Sequence, residues 1–283
     1  QQYIYNQDLV SKSEKKTFET INSFKVMQKA AKACYSFILK NLNAKKTLVL
    51  CGPGNNGGDG VLIAHHLLKQ SFSVDICYPL GFPKKNDSKK ALDLLSDKKR
   101  IKENVSFNDY DLIIDAVFGT GFNRELKLNT ASLFDKINKS GAKIISIDMP
   151  SGVFIDNGQM NQVAVKANIT LALHRFKPGQ WLLPGKEYCG KTVLLDIGLK
   201  NIDNECFLKL NYSFKPPIPS MGDHKFSRGC CVVVAGENLI GASKLAYLSA
   251  SQSALRAGSG LCKLLVNKKN MQFFSTEDIS API

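Results

Sequence analysis

A chain of 283 residues with 44% hydrophobic content is long enough for one large domain or two ordinary ones, and it can bury a full core. The formal charge of +14 is spread over many segments, with short clusters at Lys84-Lys85 and Lys98-Lys99-Arg100. No aromatic-interleaved basic face or nucleic-acid motif accompanies it, so the excess reads as solvated charge, not nucleic-acid binding. No apolar run reaches the roughly 20 residues that span a bilayer, and Gln1-Gln2-Tyr3-Ile4 has no signal-peptide character, so no membrane association is expected.

The eight cysteines include no C-x-x-C pair, which predicts neither a zinc site nor a disulfide framework and points to a reducing cytoplasm. The missing initiator methionine is expected to mark a fragment. Ser11 to Leu42 reads as mostly helical, with Met27, Ala30, Ala31, Cys34, Phe37 and Ile38 forming one core-facing stripe. Strands and helices then alternate: a strand over Thr47 to Cys51, a helix from Asp59, a strand over Ser73 to Tyr78, a helix over Ser88 to Leu95, a strand over Leu112 to Val117, a helix over Ala131 to Lys139, and a strand over Lys143 to Asp148. This rhythm predicts an α/β fold, a parallel sheet covered on both faces.

Short strands follow at Ile169 to Leu173 and Lys191 to Asp196, and Pro216-Pro217-Ile218-Pro219 sits in a linker expected near Asn211 to Ser220. The organisation is thus a first domain over 1–212 and a second α/β unit over 213–283. The second has a strand at Cys230 to Ala235, a helix at Ser243 to Ala257 and a strand at Leu261 to Val266. It is expected to be cut off, with too little chain for a core of its own.

Ligands of doubly wound sheets gather outside the carboxyl ends of the strands. Three of those ends are loaded. The first carries the glycine-rich run Gly52-Pro53-Gly54-Asn55-Asn56-Gly57-Gly58-Asp59-Gly60, where glycine permits close backbone approach and the following helix offers amides to an anion. The second carries Asp115 and Gly119-Thr120-Gly121-Phe122-Asn123-Arg124, and the third Asp148-Met149-Pro150-Ser151-Gly152. Singly, each also reads as a turn or as an aspartate that starts the next helix. Together they suit a phosphorylated sugar ligand with a hard cation held by oxygen atoms.

Gly52, Gly54 and Gly57 also satisfy G-x-G-x-x-G, with Asp75 about twenty residues on, so a Rossmann-type NAD(P)-dependent oxidoreductase is a rival reading. Against it, Asp75 lies early in its strand and the Asn55-Asn56 pair is superfluous for cradling phosphate. No Gly-Lys-Ser/Thr marks a P-loop. His65, His66 and His174 read as structural histidines, and Trp181 as packing.

The Asn-Asn-Gly-Gly-Asp run, Asp115-Ala116-Val117-Phe118-Gly119-Thr120-Gly121 and Asp148-Met149-Pro150-Ser151-Gly152 together resemble the NAD(P)H-hydrate epimerase family over about residues 10 to 212. The resemblance implies a Rossmann-like three-layer αβα sandwich that interconverts the R and S hydrates of NADH and NADPH. It implies that Asn55, Asn56, Gly57, Gly58, Asp59, the stretch Gly119, Thr120, Gly121, Phe122, Asn123, Arg124 and Glu125, and Asp148 bind the substrate. It further implies a potassium ion on Asn56, Asp115 and Ser151, and a homodimer. Asp148 is the expected catalytic residue, assisting proton transfer while the bond at the hydrated carbon opens and reforms.

The segment His224-Lys225-Phe226-Ser227-Arg228-Gly229 through Gly241-Ala242-Ser243 and Arg256-Ala257-Gly258-Ser259-Gly260-Leu261 resembles the opening of an ADP-dependent NAD(P)H-hydrate dehydratase domain. That implies the start of a ribokinase-like unit, with Ala242 at a substrate contact and ADP as its cofactor, the later nucleotide loop lying beyond Ile283. A non-enzymatic nucleotide-binding module is the second rival reading.

Overall fold

The helix that follows the first core strand begins inside the glycine-rich run, and that close fit organises the fold. The computed structural model describes residues 2–122, 126, 128–160, 162–202, 207–210, 218 and 220–274. The chain divides into two units, Gln1–Asn211 and Tyr212–Ile283. The first runs β1 (Gln2–Ile4), α1 (Gln7–Phe18), α2 (Ser23–Asn41), β2 (Lys46–Cys51), α3 (Asn55–Lys69), β3 (Ser73–Cys77), α4 (Asn86–Asp93), β4 (Ile101–Lys102), β5 (Leu112–Ala116), α5 (Leu128–Asn138), β6 (Lys143–Ile147), β7 (Ile169–Leu173), α6 (Gly185–Cys189), β8 (Lys191–Leu195) and β9 (Leu208–Leu210).

Seven strands form one all-parallel sheet in the order β4-β3-β2-β5-β6-β7-β8. The pleat of a strand makes successive side chains face opposite sides. Val49 and Cys51 join Met27, Ala31 and Cys34 of α2 and Ile63 and Leu67 of α3 in one apolar layer, whereas Leu48 and Leu50 join Phe134 and Ile137 of α5 in the other. The result is the expected α/β sandwich with both sheet faces covered. β1 pairs antiparallel with β9 in a separate ribbon. The second unit, described by itself, is a parallel pair, β10 (Cys230–Val234) and β11 (Leu261–Leu265), joined through α7 (Ile240–Arg256). The expected linker near Asn211 to Ser220 lies mostly outside the described residues. Among the described residues no helix is long and apolar enough to cross a membrane.

Two expectations are corrected. The helix expected over Ser11 to Leu42 is two helices, because Asn22 leaves the helical conformation and its side chain caps Phe24 N at 2.9 Å, starting α2 afresh. The helix expected from Asp59 starts at Asn55, although glycine is a poor helix former. Packing overrides propensity here. A Cβ on Gly57 would lie 1.9 Å from the Gly52 carbonyl oxygen, and one on Gly60 2.7 Å from Ala116 Cβ, so only glycine lets α3 settle onto β2 and β5.

Gly57→Ala tests this constraint. Alanine gains up to about 1 kcal/mol in helix propensity, and the backbone clash outweighs it, so we expect a net loss of about 3 kcal/mol or more in urea unfolding. An unchanged midpoint would show that α3 can move off the sheet freely.

Candidate functional site

Strand order reverses between β2 and β5, since the chain proceeds from β2 to β3 and β4 and then returns to the other side of β2. A crevice opens at such a switch point. There, Gly52 N bonds to Ala116 O at 3.0 Å, and a cavity of about 580 Å³ lies over the ends of β2, β5 and β6.

Its lining includes Asn55, Asn56 and Asp59 from α3, Gly119, Thr120, Gly121 and Phe122 after β5, and Asp148 after β6. The three loaded strand ends therefore meet. Gly57 and Gly58 do not line it; Gly57 packs on Gly52, and Gly58 on Met27 and Ser88. Asn123, Arg124 and Glu125 lie outside the described residues. Ala242 is exposed in the first turn of α7 in the second unit.

Asp115 and Ser151 lie fully buried and bonded to each other. Asp115 Oδ1 accepts from Ser151 Oγ at 2.5 Å and Val117 N at 3.2 Å, and Oδ2 accepts from Ser146 Oγ at 2.8 Å and Ser151 N at 2.9 Å. Burial pushes this carboxyl up and the four hydrogen bonds pull it back. Ser151 Oγ also accepts from Phe118 N at 2.8 Å, so the pair pins the loop after β5. Phe118 stacks on Phe122 at 4.7 Å in that loop. Among the described residues Asn56 Nδ2 is buried without a hydrogen-bond partner, and a Cβ at Gly119 would lie 3.2 Å from the Asn56 side chain, a tight fit.

Asp148 starts no helix. It occupies the left-handed region at φ +67°, uncommon for a non-glycine residue, held by Asp148 N to Leu171 O at 2.8 Å and by Gln180 Nε2 donating to its carbonyl at 2.7 Å. Its Oδ1 accepts from Leu173 N at 3.1 Å and from Lys177 Nζ. Lys177, 1% exposed, also donates to Leu173 O at 2.7 Å. Two further carboxyls share this floor. Glu14 is raised by burial and by Asp148, with Lys177 opposing; Asp59 is raised well above the usual carboxylate range by burial, Asp148 and Glu14. As a residue Glu14 is exposed, and that surface opens into the cavity, where surrounding protein still crowds its carboxyl.

Glu14, Lys177 and Gln180 escaped sequence reasoning. His174 lines the cavity too; burial, then Arg175 and Lys177, lower it to about 3, so it stays neutral. Ser13 Oγ spends its hydrogen on Lys200 O at 2.5 Å, which makes His174 Nε2 the donor in their 3.1 Å contact. Asp75 sits mid-strand, accepts from Tyr110 at 3.1 Å and does not line the cavity, which removes the acid that a dinucleotide dehydrogenase needs.

Residues 23–179 match the family described as YjeF-related protein N-terminus. Among curated relatives, the chain is 31% identical over 262 residues to the bifunctional NAD(P)H-hydrate repair enzyme Nnr of Dictyoglomus turgidum, covering 86% of this chain and 50% of that protein. It is 35% identical over 185 residues to the NAD(P)H-hydrate epimerase of Oenococcus oeni, covering 62% of this chain and 85% of that protein. The chain thus spans about half the length of the bifunctional relatives it matches. The crystal structure of yeast ynu0 superposes with a TM-score of 0.57 at 20% identity, over 73% of this chain and 99% of that one, a likeness of fold.

Three variants test the floor. Lys177→Met leaves Asp148 without its cation and is expected to cost about 3–5 kcal/mol in urea unfolding, part of which Lys177→Met/Asp148→Asn recovers. Asp59 has a folded-state pKa above its unfolded one, so its stability contribution is present at low pH and lost as pH rises through the raised value. Asp59→Asn should therefore melt above the wild type at about pH 7, the gap closing as pH falls below about 4, where the unfolded carboxyl is protonated as well. A gap that widens on acidification would reverse the sign.

Proposed function

We propose a function from the premise that the chain belongs to the YjeF-related protein N-terminus family: its first unit is an NAD(P)H-hydrate epimerase that serves nicotinamide-nucleotide repair. The observation that carries this reading is a cavity at the switch point that combines basic and amide groups at one part with carboxyls at another. At the former, α3 begins on Gly54 with no side-chain cap, which leaves its first amides open to an anion, and Lys84 and Lys85 line the same cavity. The dinucleotide phosphates fit there. The hydrated ring, neutral at rest and cationic as its hydroxyl departs, fits the carboxyl floor.

In the hydrate, the hydroxyl sits on a carbon next to the ring nitrogen, whose lone pair can expel it. Asp148 carries the proton chemistry at that carbon: its Oδ1 is held by Lys177 and Leu173 N, and no hydrogen bond reaches Oδ2 among the described residues. The strained backbone and the buried lysine fix where this oxygen points.

Potassium fits the donor set beside the cavity. Asn56, Asp115 and Ser151 offer oxygens with one carboxylate, which suits a hard monovalent cation, and turning the buried Asn56 amide so that its oxygen takes the place of the unpartnered Nδ2 would present that oxygen to the ion. Bound there, the ion would supply positive charge next to the loop after β5. For the second unit we carry the opening of an ADP-dependent dehydratase domain, with Ala242 as a substrate contact. A homodimer and a cytoplasmic setting are carried from the same resemblance, the former checked by light scattering.

The test follows the R and S hydrates of NADPH by chromatography after a helper dehydratase has exhausted the S form. We expect potassium-dependent loss of the R form, and loss of that acceleration in Asp148→Asn by about 100-fold or more with binding retained. No acceleration over the spontaneous rate in the wild type would leave a nucleotide-binding module.

A further inference from the structure

We propose that Glu14 is the second proton-transfer group of this cavity, serving the face of the hydrated ring opposite to the one Asp148 serves; this rests on the epimerase reading above. Epimerisation at a hydroxyl-bearing carbon needs proton transfer on both faces, because the hydroxyl leaves as water from one side and water returns from the other. One carboxyl fixed in place attends one side only.

Glu14 enters the cavity from α1 and Asp148 from the end of β6, two separate walls. Their surroundings differ in the way that an acid and a base require. Asp148 is ion-paired to Lys177 and bonded to Leu173 N. Glu14 has no hydrogen bond or ion pair among the described residues and stands accessible in the cavity. Burial and the neighbouring Asp148 raise it, which favours the protonated form. The other charged or titratable groups around the cavity are Lys177, Asp59, neutral His174 and, farther along the lining, Lys84, Lys85 and Asp87.

In one direction, the Glu14 carboxyl gives its proton to the hydroxyl oxygen as the carbon–oxygen bond breaks. The bonding pair leaves with water, and the ring-nitrogen lone pair forms a carbon–nitrogen double bond. Water then adds to the other face and yields its proton to the Asp148 carboxylate, with the nitrogen regaining its pair. Proton exchange through cavity water resets the two carboxyls, and the reverse direction swaps their roles. No oxidant or co-reactant is consumed.

The experiment compares Glu14→Gln and Glu14→Asp with the wild type in potassium, measuring R-to-S interconversion of the NADPH hydrate across pH. Glu14→Gln should lose about 100-fold or more in kcat with KM within about threefold, and Glu14→Asp should restore part of the rate. The wild-type rate should fall as pH rises through the raised Glu14 value, and that limb should vanish in Glu14→Gln, which a merely structural role would not cause. A Glu14→Gln rate and pH profile matching the wild type would overturn the role of Glu14 alone. A wild type that does not accelerate interconversion would overturn the functional reading and this role with it.

Discussion

The contact on which the site depends is backbone against backbone: Gly57 of α3 over the Gly52 carbonyl at the end of β2. It sets how deeply the first turn of α3 sinks between β2 and β5. Asn55 and Asn56 reach the crevice only at that depth, and Asn56 in turn packs tightly over position 119, 3.2 Å from where a Cβ would lie. A second constraint works from below. The Asp115–Ser151 knot holds Val117 and Phe118 by their amides and so anchors the start of the loop facing α3. The cavity is the space between two surfaces, each fixed by atoms that do not line it.

Charge is organised on two scales. The chain as a whole carries +14, a field that attracts anions from a distance, while the cavity floor gathers three carboxyls around one lysine. Burial makes those carboxyls costly to ionise together, and Lys177 offsets one. A floor of this kind resists permanent charge but favours a cation that exists only in passing, the property that an oxocarbenium-like or iminium-like species demands.

The parallel sheet and the meeting of three strand ends were legible because they rest on local patterns: apolar runs of five or six residues, and glycine where nothing else fits. The depth of α3 was not, because glycine-rich sequence argues against a helix, and the packing that compensates comes from strands elsewhere in the chain. Lys177 and Glu14 were missed for a related reason. In Arg175-Phe176-Lys177-Pro178-Gly179 a lysine reads as turn surface, and in Lys12-Ser13-Glu14-Lys15-Lys16 a glutamate reads as a solvated helix face. Their roles come from a partner 29 residues away in one case and a cavity wall in the other. The break between α1 and α2 did have a signal in Asn22-Ser23, which a continuous apolar stripe concealed.

The wall that carries Glu14 is tied down by residues near the far end of the unit. Ser13 Oγ bonds to Lys200 O, Thr17 Oγ1 receives Lys200 N at 2.8 Å, and Tyr5 receives Ile202 N at 3.1 Å, contacts spanning 187, 183 and 197 residues of chain. Such closures are entropically expensive and have little to hold them until the intervening sheet exists. During synthesis, then, the strand ends and α3 can assemble while this side of the cavity is still open, and the site is sealed only after residue 202 has emerged.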